Sequence, residues 1–148
     1  MQYATRDAAA TPAFLSFKIQ VKNTGSASVP LQDVTIRYWF TADGFTSALM
    51  SNCDFASVTG GRDNIIRTFH EASGTDADHY LEIGFASATG SLAPGATSGY
   101  AEIAIYNANY DKLTQANDYS FSATATAFTP SMQVTGYRAG ELAWGIEP

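Results

Sequence analysis

Two stretches far apart in the chain gather side-chain oxygens. TADG at 41–44 offers Thr41 and Asp43. TQANDYSF at 114–121 offers Thr114, Asn117 and Asp118 and then runs straight into aromatics. A hard cation such as calcium takes roughly six to eight oxygens from carboxylates, carbonyls, hydroxyls and amides. Two carboxylates brought together from separate loops repel each other unless a cation lies between them. Ordinary loop chemistry accounts for the same residues through Asx turns and a glycine-assisted turn at Gly44. Spacing alone leaves both readings open, and no EF-hand pattern is present.

Other reactive side chains are sparse. His70 and His79, the only histidines, flank strand-like segments with no nucleophile motif nearby, so they read as sheet or surface residues. Cys53 is the single cysteine, which rules out an internal disulfide and reads as a buried thiol. No GxSxG, HExxH or P-loop pattern occurs. A glycosidase needs two facing carboxylates, and nothing singles out a pair among Glu71, Glu82 and Glu102. The chain reads as a protein that is not an enzyme.

The elements that must position these residues are strands. With 148 residues, 45% of them hydrophobic, the chain is long enough for one domain, 1–148, with a substantial core. The net charge is −6, and the eight Lys and Arg are scattered singly. No basic stripe exists to neutralise phosphates, which argues against nucleic acid and anionic membrane surfaces as partners. No apolar run approaches the ~18 residues of a membrane span. Met1 leads directly into polar sequence without a signal-peptide pattern, which predicts a module excised from a larger chain.

Period-two alternation predicts strands over 14–21, 34–40, 64–70, 79–85 and 100–106, and a terminal hairpin over 133–145. Val34, Ile36, Tyr38 and Phe40 share one face, with Thr35, Arg37 and Trp39 on the other. LAPG at 92–95 is a turn. No segment forms a convincing amphipathic helix, so the pattern is that of an antiparallel sandwich.

RYWFTADG at 37–44, NCDFA at 52–56, YLEIGF at 80–85, LAPG at 92–95, NDYSF at 117–121 and LAWGIEP at 142–148 closely resemble the family 3 carbohydrate-binding modules. These occur in bacterial cellulases and cellulosomal scaffoldins, and the similarity is collinear over nearly the whole chain. The resemblance implies an all-β, nine-stranded antiparallel sandwich with jelly-roll topology. It implies one structural calcium on residues matching Thr41, Asp43, Thr114, Asn117 and Asp118. It also implies secretion, linkage to catalytic or scaffold domains, and binding to cellulose in plant cell walls through a flat strip on one sheet face.

In that strip Asp54 matches the family's Asp, Phe55 stands at an aromatic position and Tyr110 stands at the Trp position. The strip Arg falls at Ala104, and the loop carrying the strip Tyr is shortened to VTGGRDN at 58–64, where Arg62 offers a replacement guanidinium. The opposite sheet of the family carries a shallow groove, matched here by Arg37, Trp39, Tyr80, Glu82 and Tyr119. A second reading follows from it. The domain would be an interaction module with weak or no crystalline-cellulose binding, using the groove for linker peptide or soluble glycan, or assisting a neighbouring catalytic domain.

Overall fold

A computed structural model describes residues Met1–Pro148. Twelve strands, numbered in chain order, form two five-stranded sheets and a small ribbon, and every pairing is antiparallel. The first sheet contains β1 (Gln2–Thr5), β2 (Leu15–Lys22), β5 (Leu49–Ala56), β9 (Thr97–Asn107) and β10 (Thr129–Pro130), in the order β10-β1-β2-β9-β5. The second contains β4 (Val34–Phe40), β6 (Ile65–Gly74), β7 (Ala77–Phe85), β11 (Val134–Arg138) and β12 (Glu141–Trp144), in the order β12-β11-β4-β7-β6. The ribbon pairs β3 (Val29–Pro30) with β8 (Ser91–Leu92). Nine strands have four or more residues, and β3, β8 and β10 are two-residue strands held in two further pairings, β3–β8 and β1–β10. The only helical pieces are four short 3-10 segments.

Alternation builds the core. Leu15, Phe17, Ile19 and Val21 of β2 point inward and meet Val34, Ile36, Tyr38 and Phe40 of β4. The Phe17 and Tyr38 rings stack across the two sheets at 4.0 Å between centroids. Twenty-four buried residues form one continuous cluster. Burying so much apolar surface, at about 25 cal/mol per Å², is what holds the sheets face to face. Cys53 belongs to this cluster; its Sγ donates to the Phe55 carbonyl at 3.3 Å, and burial pushes the thiol up from its ordinary value.

Two features escape the alternation rule. The edge strand β5 shifts register between Cys53 and Phe55, leaving Asp54 as an extra, unpaired residue. Its burial pattern therefore puts Asp54 and Phe55, neighbours in sequence, both outward. The β11–β12 turn has Ala139 at φ 50° and Gly140 at φ 86°. Both lie in the left-handed region that a tight two-residue hairpin requires.

Candidate functional site

The outer face of the first sheet carries an aromatic and ionic row. Phe14, Tyr106 and Tyr110 cluster at one end, with centroids 5.1 to 5.9 Å apart. The Tyr106 and Tyr110 rings are nearly parallel, at 5°. Phe55, Tyr100 and Phe128 cluster at the other end, 5.4 and 5.8 Å apart. Tyr100 and Tyr106 sit six residues apart on β9, so the row is roughly 20 Å long at the usual strand rise.

Between the clusters, Arg6 donates to Asp54 at 2.6 Å and lies 3.4 Å from Glu102, which in turn holds Lys18 at 3.0 Å. Ser16, Ala104 and Asn52 are cross-strand neighbours beneath Arg6. Their small side chains leave a hollow of about 340 Å³ lined also by Phe14, Asp7 and Asp54. Ala104 points outward by strand parity yet is only 5% exposed, and it lines this hollow together with Arg6. A guanidinium does lie in the row, that of Arg6, beside Asp54. Arg62 instead faces a different hollow, on the other side of Asp54.

Tyr110 stands on a built platform. Asn107 is fully buried, and its Oδ1 accepts the N–H groups of Asn109 and Asp111 at 3.1 and 3.0 Å. The loop so closed holds Tyr110 at φ 59°, with its side chain 59% exposed. A left-handed non-glycine residue costs roughly 1–2 kcal/mol. Phe55 is likewise exposed, at 45%, rather than a core residue. Flat rings of this kind cover the C–H faces of sugars, while the Arg6–Asp54 pair is placed to exchange hydrogen bonds with hydroxyls.

The opposite face is partly covered. Trp39, expected to line a groove, is 5% exposed, and its indole N–H donates to Thr135 at 2.8 Å. Burial of an indole requires such a partner, and β11 supplies it. Arg37 lies over the rings of Tyr137 at 4.0 Å and Tyr80 at 4.6 Å and pairs with Glu82 at 3.0 Å. The chain's own residues 146–148 cross this surface. The Tyr119 hydroxyl donates to the Ile146 carbonyl at 2.9 Å, Tyr137 donates to Glu147 at 2.5 Å, and Arg37 reaches Glu147 at 3.5 Å. Pro148 packs on Gly74 so closely that a Cβ there would lie 2.7 Å from it. This segment thus runs beside the surface expected to carry the groove, where Arg37, Tyr80, Glu82 and Tyr119 stay part-exposed.

The two oxygen-rich loops do meet. The Asp118 Oδ1 accepts the Thr41 N–H at 2.8 Å and the Thr41 hydroxyl at 3.0 Å. Asp43 accepts the Thr41 hydroxyl at 3.3 Å and the Thr114 N–H at 2.5 Å. Asp78, not singled out from sequence, accepts the Ala42 N–H at 2.8 Å beside them. Asp118 is buried, and its Oδ2 has no hydrogen-bond partner. Desolvation first, then the carboxylates of Asp43 and Asp78, push Asp118 up to about 7. The Asn117 side chain is exposed and makes no hydrogen bond within the group. An orphaned carboxylate oxygen among neighbouring carboxylates and a hydroxyl is a donor set that suits a hard cation.

Of the residues expected in the strip, Asp54, Phe55 and Tyr110 do lie on this face, and the sequence did not single out Arg6, Phe14, Tyr100, Tyr106 and Phe128 beside them. Tyr100 and Tyr106 lie in the predicted alternation of β9 and share its outward parity. Arg6 leaves no such signal, because it enters the row from outside any alternating segment.

The family model of the cellulose binding domain matches residues 1–145. A xyloglucanase from Paenibacillus sp. is 42% identical over 141 residues, which are 94% of this chain and 13% of that enzyme. Endoglucanase A from Paenibacillus lautus is 39% identical over 128 residues, or 86% of this chain and 18% of that enzyme. The chain thus spans less than a fifth of either relative. The solved CBM3b module of the major scaffoldin subunit from Acetivibrio cellulolyticus matches with a TM-score of 0.91 at 36% identity, covering 99% of this chain and 95% of that one. By sequence over nearly its whole length and by fold, the chain belongs to the cellulose binding domain family, the family 3 carbohydrate-binding modules.

Proposed function

We propose that this chain is a non-catalytic cellulose-binding module that works through the outer face of its first sheet. The observation that carries this reading is the row itself: two aromatic clusters flank an Arg6–Asp54 ion pair on one open sheet face, whereas the opposite face is crossed by residues 146–148. A cellulose crystal offers a plane, and a row of about 20 Å lies along a chain of that plane. The module raises the local concentration of whatever domain it is joined to. The cellulase and scaffolding relatives support an extracellular setting, with catalytic or scaffold domains on the same polypeptide.

Depletion of the domain from solution by microcrystalline cellulose tests this. Wild type is expected to deplete and Tyr110→Ala to lose most of that binding. No depletion by wild type overturns the reading.

Calcium is the cation that best suits the loops, with Thr41, Asp43, Thr114, Asn117 and Asp118 as its holders. The support is the partnerless Oδ2 of Asp118 beside Asp43. Bound there, calcium would supply structural charge compensation.

A further inference from the structure

A second hollow, of about 480 Å³, lies against β5 on the side away from Arg6. It is lined by Asn52, Cys53, Asp54, Arg62, Asp63 and Arg67. Two of the chain's eight basic side chains line this one place. Neither lies within 4.0 Å of a carboxylate, in a protein of net charge −6. Arg67 spends Nε on the Ser51 hydroxyl at 3.3 Å and one Nη on the Ile65 carbonyl at 3.2 Å, which fixes its side chain and leaves its other amino group free. Arg62 makes no side-chain hydrogen bond and is exposed. Both guanidiniums pull the Cys53 thiol downward against its burial, so both act on the same small volume.

Of the two carboxylates in the lining, Asp54 is already tied to Arg6 at 2.6 Å. That leaves two guanidiniums facing one uncommitted carboxylate, Asp63. A guanidinium's planar fork matches a carboxylate, and free forks in a partly enclosed hollow are a carboxylate-binding arrangement.

Asn52 and Asp54 line this hollow and also the one under Arg6. They form the low wall between the two. The second hollow is thus adjacent to the row, within reach of a substituent directed over β5 from a glycan lying on it. We propose that this hollow is a subsite for the carboxylate of a uronic acid carried by the bound glycan, with Arg62 and Arg67 as its ligands. The proposal rests on the reading of the row as the glycan-binding face.

The test is calorimetric titration with soluble cello-oligosaccharides oxidised at C6 to uronates, beside the unoxidised oligomers. The expected result is roughly five-fold tighter binding of the oxidised form. The preference should fade in 0.5 M salt, where screening reaches roughly the contact distance. Arg67→Gln and Arg62→Gln should each reduce it, and Asp63→Asn should enlarge it. The last variant removes an opposing charge and keeps the test open should an arginine variant fold poorly. Equal affinity for both oligomers, or a preference unmoved by all three substitutions, overturns the proposal. Cellulose depletion by wild type is measured alongside. Depletion without a uronate preference sinks the subsite alone, and a uronate preference without depletion sinks the cellulose reading alone.

Discussion

Tyr110 carries its ring at a backbone position that disfavours every residue with a Cβ. Two substitutions separate the ring from the strain. Tyr110→Ala removes the ring and keeps the left-handed penalty; Tyr110→Gly removes both. Urea unfolding should find the Gly variant more stable than the Ala variant by about 1 kcal/mol, while both lose cellulose binding alike. A more stable Ala variant would mean the loop relaxes around φ 59° and that Asn107 does not enforce it. The ring was legible in the sequence, in NANYDKLTQ, but its support was not. Asn107 reads as one more polar loop residue until its Oδ1 is seen to take two backbone N–H groups. Arg6 was illegible for a related reason. It acts through Asp54, 48 positions away, and its ion pair is exposed enough to contribute only ~0–1 kcal/mol to stability.

Among the elements, β2, β4, β7 and β9 were readable because one face of each meets the core, which forces alternation. Strand β5 was not readable as a whole. It is an edge strand, and its bulge breaks the period at Asp54. The hairpin of β11 and β12 was readable from its turn, but the use of the segment after it was not. That segment is clasped by Tyr137, whose hydroxyl is pushed up to about 12 by burial first and then by its bond to Glu147. An acid held above its usual value of 10.0 favours the folded state in its neutral form. The clasp's contribution is therefore complete below about pH 10 and is lost between pH 10 and about 12. Ultraviolet titration should show Tyr137 near pH 12, beside the late-titrating buried Tyr3 and Tyr38, and only the Tyr137 step should move down in Glu147→Gln. Gly74→Ala should loosen the same clasp at neutral pH by pushing Pro148 away, seen as faster hydrogen exchange at Ile146.

At the scale of the whole molecule, the loops of Thr41 and Asp118 tie β4 of one sheet to the segment that leads toward β10 of the other. A cation there binds the folded state alone, since the unfolded chain leaves its ligands apart. At a calcium level of ~100 times Kd the stabilisation is about 2.7 kcal/mol. Chelation should then lower Tm by roughly 5–10 °C at this size, and Asp118→Asn should abolish the response. A Tm indifferent to chelator would remove calcium from the account. The sandwich as a class was legible because strand periods and turns repeat along the chain. The path of residues 145–148 across the second face was not, since nothing in them announces their contacts with Arg37, Tyr119 and Tyr137.

The bulge has a final consequence, which concerns chain length. Removing Asp54 outright would leave Asn52 outward, Cys53 inward, Phe55 outward and Ala56 inward, an unbroken alternation opposite Ala104, Ile103, Glu102 and Ala101. A one-residue deletion in the middle of a strand ordinarily turns every later side chain to the wrong face; here it would restore the regular ladder and erase only the carboxylate. Binding faces of this design can therefore gain or lose a polar contact by a single-codon insertion or deletion, with the core left in place.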